Sequence, residues 1–158
     1  YAAVNAGLSA LQGHKHGGST DSVEALFSEA DAQDDATRVL ANYLRRGDLI
    51  PGFGHKLYPG GDPRGAELLA RTWEFYGDAM RLTPAHDLAG AVKESLSQEP
   101  NIDFALVALR RTLGLPMGSA LTLFALGRTV GWIGHAIEQY ATDRLIRPRA
   151  RYVGAAPE

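Results

Sequence analysis

The chain contains no cysteine. Disulfides and thiolate metal sites are thereby excluded, and the absence fits a reducing, cytoplasmic setting. A surplus of charge is lacking too: 16 Lys and Arg stand against 18 Asp and Glu, a formal net charge of −2. Nothing in that balance calls for nucleic acid or a membrane surface as partner. Aromatic residues are sparse, at 8%. No apolar run approaches the ~20 residues expected of a membrane span, and no signal-peptide pattern stands at the start. Internal repeats and low-complexity tracts are missing, and no stretch alternates long enough to predict a strand. What remains is 158 residues, 45% of them apolar. That is enough for one domain with a real core, or for part of a larger one. The chain opens on Tyr1 and at once takes up a helical pattern, which reads as a fragment or a processed product.

Almost all periodicity is helical, so the fold class is all-α. Small residues over 2–12 predict the end of one helix. Asp21 and Glu24 stand in capping-box spacing and predict a helix starting near residue 21. A short amphipathic helix over 36–46 is stopped by Gly47. Asp62-Pro63 supplies an N-cap and an N1 proline for a helix reaching about residue 82. Further helices are expected over 85–99 and 101–114, then a long one from Ser119 to about Tyr140, followed by a basic tail. The long helix is apolar on most of its surface, through Leu121, Leu123, Phe124, Leu126, Val130, Trp132, Ile133 and Ile137. Such a helix needs cover on most sides, so the chain should dimerise through it or expose a sizeable apolar patch.

Between the third and fourth helices, residues 50–69 pack five glycines, three prolines and His55 into one run, IPGFGHKLYPGGDPRGAELL. GFGHKL lacks the third glycine and the preceding strand of a dinucleotide fingerprint, and no Walker A pattern is present. His14 and His16 form an HxH pair without further ligands at metal-site spacing. No serine stands in a G-x-S-x-G elbow. Three polar side chains do share one placement. His16, His55 and Asp103 all fall at or just before predicted helix N-termini, where unpaired N–H groups and the macrodipole favour an anion and a neutral imidazole. Two neutral histidines and a carboxylate suit proton abstraction beside a carbonyl, with a second carbonyl as electrophile. Ordinary helix charge bias also places an acid at Asp103, after an Asn101 cap, and loop histidines are common. Arg64 is less ordinary, because a cation in a first helical turn opposes the macrodipole. An arginine on a helix N-terminus makes a good carboxylate clamp.

PGFGHKLYPGGDPR, with Arg64 nine residues after His55, resembles the signature loop of the citrate synthase family. HGG at 16–18, NID at 101–103, GRTVGWIGHAIEQ at 127–139 and IRPRARYVG at 146–154 are similar to further family segments, in the same order. The resemblance implies an enzyme that condenses an acyl-CoA thioester with oxaloacetate, with no bound cofactor, acting as a homodimer. By that likeness Asp103 would remove the methyl proton of acetyl-CoA, His16 would hydrogen-bond the thioester oxygen, and His55 would polarise the keto group of oxaloacetate. Arg64 and Arg128 would hold substrate carboxylates, and Arg147 would reach the partner subunit's site. The backbone at Pro51, Gly52, Phe53 and Gly54 would line the CoA adenine site. Citrate synthase, 2-methylcitrate synthase and citryl-CoA lyase share these motifs, and a non-catalytic module is the alternative.

The likeness covers only the C-terminal part of family enzymes, which are well over twice as long. It implies a small, closing domain over 17–110, with 1–16 and 111–158 as remnants of a large helical domain. The missing N-terminal part carries a further oxaloacetate-binding histidine in the family. The chain also departs from its pattern. Pro59 stands where some members place an arginine for a CoA phosphate, His14-Lys15 replaces Pro-Leu, and Ser19-Thr20 stands where Ala-Asn is common.

Overall fold

Helix signals in the sequence translate directly into elements. The computed structural model describes residues 1–13, 17–77, 82–147, 149–151 and 153–154. Among them run α1 (Ala2–Leu11), α2 (Gly17–Gln33), α3 (Ala36–Arg46), α4 (Pro63–Tyr76), α5 (Thr83–Leu96), α6 (Ile102–Thr112) and α7 (Ser119–Thr142). Strand pairing among the described residues is a single antiparallel bridge, Phe53 with Pro100. The all-α expectation holds.

Caps explain most of the boundaries. The Asp35 carboxylate accepts from the Arg38 N–H at 2.9 Å and opens α3, while Gly47 closes it in the left-handed region at φ 74°. Asn101 accepts from the N–H groups of Asp103 and Phe104 and starts α6. Two boundaries differ from expectation. Helix α2 begins at Gly17, so Asp21 and Glu24 lie inside it and form no capping box. A D-x-x-E pattern is the same in a cap and on a helix face, and burial of Val23, Leu26 and Phe27 carries the helix through glycines that propensity alone disfavours. Helix α4 ends at Tyr76, with Gly77 as its cap, rather than near residue 82.

Helix α6 is the axis of the core. Phe104 through Ala108 are all buried, because α2, α4 and α7 pack around it. Phe27 of α2 and Phe53 of the glycine-rich turn set their rings against Phe104, at centroid separations of 5.0 and 4.9 Å. Helix α5 closes the far side on α3 and α2.

Helix α7 is different. It rests on α6 and α1, yet Leu126, Val130 and Ile137 are 63%, 72% and 62% exposed. The expected apolar patch is therefore present. By length and composition α7 is also long and apolar enough to cross a membrane, contrary to the expectation that no segment is. Alanine, leucine, isoleucine, valine and phenylalanine raise its mean hydropathy without forming an unbroken apolar run, and Arg128, His135 and Glu138 interrupt it.

Candidate active site

The N-termini of α4 and α6 are brought together by one aspartate. Asp62, 2% exposed, accepts from the Arg64 N–H at 3.1 Å as the cap of α4. Its other oxygen accepts from the Ile102 N–H of α6, also at 3.1 Å. The Arg64 guanidinium closes on the same carboxylate through Nε and Nη2, both at 2.9 Å. Burial pushes the Asp62 carboxyl up, but the bonds from the Arg64 side chain and the two backbone N–H groups outweigh it and hold it below the ordinary range. Gly65 permits the approach of the two helices: a Cβ there would lie 2.6 Å from the carbonyl carbon of Asn101.

Arg64 is thus not an uncompensated cation opposing a helix dipole. Asp62 anchors it, and the hydrogen bond to that carboxylate raises its already high pKa. Its Nη2 lies 3.3 Å from His55 Nε2. On the other side of the ring, the Leu57 N–H donates to His55 Nδ1 at 3.1 Å. Nδ1 therefore carries the lone pair, and a neutral ring keeps its proton on Nε2. An Nε2–H and a guanidinium N–H are then side by side, two donors that cannot bond each other. Tyr58 completes the cluster, its ring 4.8 Å from that of His55 and 5.4 Å from the Arg64 guanidinium carbon. Nothing in the sequence singled out Tyr58; its place three residues after His55 matters only because the turn folds back. Arg64 and Arg128 line one cavity of about 300 Å³, floored by Ile102, Leu106, Leu123 and Phe124.

Asp103 stands in the first turn of α6 and accepts a 2.7 Å hydrogen bond at Oδ2 from Ser19 Oγ of α2. It contributes to the field that raises the pKa of Arg64, which places the two charges in one neighbourhood. The α2–α6 pairing is reinforced further along by Glu24, 5% exposed. Its Oε2 accepts from Arg110 Nη2 at 2.6 Å and lies 3.6 Å from Arg111 Nη1. Arg111 also pairs with Asp31.

The structure thus gathers His55, Arg64, Asp103 and Arg128 around the α4 and α6 N-termini. His16, with His14 of the HxH pair, lies outside the described residues. No group of three or more metal-ligating side chains occurs among the described ones. Arg147 is exposed beyond α7 and makes no hydrogen bond or ion pair among the described residues. The 50–54 backbone is tied inward. Gly54 N–H donates to Glu99 O, Asn101 N–H to Gly52 O, and Asn101 Nδ2 to Gly54 O, at 3.1, 2.8 and 3.1 Å. Gly52, at φ 84°, sits where a Cβ would meet Phe104 and Val23 at 3.0 Å. Its close approach is to the core, and Pro51 is half-buried beside it. A larger cavity of about 650 Å³ shares the Gly60–Asp62 turn and runs between α4 and α5. Its walls hold a stacked Trp73–His86 pair and a Lys93–Glu99 ion pair, but neither His55 nor Arg64.

Comparison with known proteins bears on this arrangement. The family described as citrate synthase, C-terminal domain, matches residues 1–149. The chain belongs to the citrate synthase family. It is 36% identical, over 98% of its length, to the citrate synthase of Haloferax volcanii, of which it covers 42%. Its fold is similar to that of citrate synthase from Thermoplasma acidophilum in a ternary complex with carboxymethyl coenzyme A and oxaloacetate. The TM-score is 0.78 at 29% identity, covering 98% of this chain and 44% of that one. Citryl-CoA lyase from Hydrogenobacter thermophilus is equally similar, at TM-score 0.78 and 29% identity, with 98% and 64% covered. The chain thus spans well under half the length of its citrate synthase relatives. The family match runs through α7, so that helix is part of the family's fold.

Proposed function

We propose that this chain carries the C-terminal share of a site that condenses acetyl-CoA with oxaloacetate to citryl-CoA, whose thioester water then hydrolyses to release citrate and CoA. The carrying observation is the pair of converging donors, His55 Nε2 and Arg64 Nη2, 3.3 Å apart. A 2-oxo acid offers both of them an oxygen: the keto oxygen to the imidazole N–H and a carboxylate to the guanidinium. Arg128, across the shared cavity, takes a second carboxylate. A keto group polarised in this way is the electrophile. Asp103, a carboxylate at a helix N-terminus, is the base that removes the proton beside the thioester. His16 then serves as donor to the thioester oxygen, and the 50–54 backbone meets the CoA adenine. CoA is substrate here, and no bound cofactor is called for.

Residues 17–110 act as the small, closing domain in this reading, and 1–16 with 111–158 belong to a large domain. The exposed stripe on α7 fits burial against the rest of a longer parent or against a second subunit, whose site Arg147 enters. The parent is then a cytoplasmic homodimer. The chain by itself is weak or inactive, since near-attack geometry tolerates little loss of the surrounding shell.

The test is CoA release from acetyl-CoA and oxaloacetate by a parent enzyme containing this chain. Asp103→Ala should lower turnover by about a hundredfold or more. Undiminished turnover in that variant would remove Asp103 from the mechanism. Propionyl-CoA as donor and citryl-CoA as substrate separate the 2-methylcitrate synthase and citryl-CoA lyase alternatives. Family-like affinity of the isolated chain for oxaloacetate, measured by calorimetry, would count against its being an incomplete module.

A further inference from the structure

Ser19 makes a contact unlike those of several helical serines and threonines. Ser22, Ser28 and Thr72 each turn back on their own helix and donate to the carbonyl four residues earlier. Ser19, half-buried in the first turn of α2, instead donates across to another helix, to Asp103 Oδ2 at 2.7 Å. An O–H donor at this distance from a carboxylate is a charge-assisted bond. It favours the ionised form and fixes the plane of the acceptor. The contact bridges two helices that pack together and that the buried Glu24–Arg110 pair, at 2.6 Å, also joins further along.

We infer that Ser19 is a positioning residue for Asp103, orienting its carboxylate and stabilising it as the ionised base. The inference deepens the base role given to Asp103 above and rests on it for its catalytic meaning. Other charges reach the same place. Arg64 acts on Asp103 from α4, Arg128 lines the adjoining cavity from α7, and His55 stands beside Arg64 in the turn. The charged side chains that α2 directs at α6 are Glu24, engaged by Arg110 and Arg111, and Asp31, engaged by Arg111. Ser19 is a neutral donor to Asp103, so its removal changes the hydrogen bonding of the base without changing the surrounding charge.

Carboxyl-¹³C NMR of the aspartate-labelled full chain follows the Asp103 titration, with Asp103→Asn supplying the assignment. Ser19→Ala keeps a good helix former in place, and amide spectra verify the fold. Its Asp103 midpoint should rise by about one pH unit, tenfold in proton affinity, and Ser19→Thr should return it close to the parent value. A rise below about 0.3 pH unit in Ser19→Ala, or equal rises in the alanine and threonine variants, overturns the assignment. The measurement needs no turnover. A midpoint that moves as expected in a chain whose parent enzyme does not condense the substrates upholds the Ser19–Asp103 coupling and overturns the condensation reading alone.

Discussion

At Asp62 a single buried carboxylate joins two helix N-termini and a half-exposed arginine. Asp62→Asn keeps the shape but loses the charge-assisted bonds. A stability loss of about 2 kcal/mol is expected in urea unfolding. The pH dependence has a definite sign. The folded-state pKa lies below the ordinary 3.8, so the stabilisation is complete above about pH 4 and is lost as pH falls through the lowered value. The native chain should therefore lose stability steeply below pH 4, and Asp62→Asn should show a shallower acid limb. Equal slopes would show that Asp62 does not drive acid unfolding. Gly65 is the second single-residue test. A Cβ 2.6 Å from the Asn101 carbonyl carbon must push α4 off α6, at a cost of roughly 1–3 kcal/mol. Gly65→Ala should also weaken oxaloacetate binding by the parent enzyme, because Arg64 moves with α4. Unchanged affinity and midpoint would mean the helices have slack that the structure does not display.

Between elements, the α2–α6 contact is the one most exposed to disruption. Glu24→Ala leaves Arg110, only 13% exposed at its side chain, without its partner. Removing one member of a buried pair costs on the order of 3–5 kcal/mol. Thermal unfolding of Glu24→Ala should reveal a large fall in midpoint, and the double variant Glu24→Leu, Arg110→Met should recover much of it, as apolar replacement of buried pairs often does. Failure of the double variant to recover would mean that the pair supplies register as well as charge balance. The start of α6 was visible in the sequence through Asn101, and its expected end at 114 lies two residues beyond the observed one at Thr112. The pair that fixes its partner was not visible. Glu24 looked like a cap, since i and i+3 spacing is shared by caps and helix faces, and its true partner lies 86 positions away.

For the molecule as a whole, α7 sets the expected behaviour. Leu126, Val130, Ile133, Ile137 and Tyr140 are all exposed, a stripe larger than scattered surface apolars require. Sedimentation of the chain should show concentration-dependent association, and Val130→Lys with Ile137→Glu should return it to the monomer without lowering its thermal midpoint by more than about 1 kcal/mol equivalent. A monomer at all concentrations would refute the need for cover that α7 implies.

Periodicity, caps and the order of short motifs were enough, by themselves, to predict the seven helices found among the described residues and to point to the family, because each of these signals is local. His55, Arg64 and Asp103 stood out as candidates for the same reason, and Arg128 through the family resemblance. Tertiary structure alone decided what surrounds them. It showed that Asp62 restrains Arg64, that Leu57 sets the protonated face of His55, that Gly52 serves the core, and that Ser19 reaches Asp103. Those relations depend on where helices cross, and crossing is settled by packing between residues far apart in the chain, which no local pattern encodes.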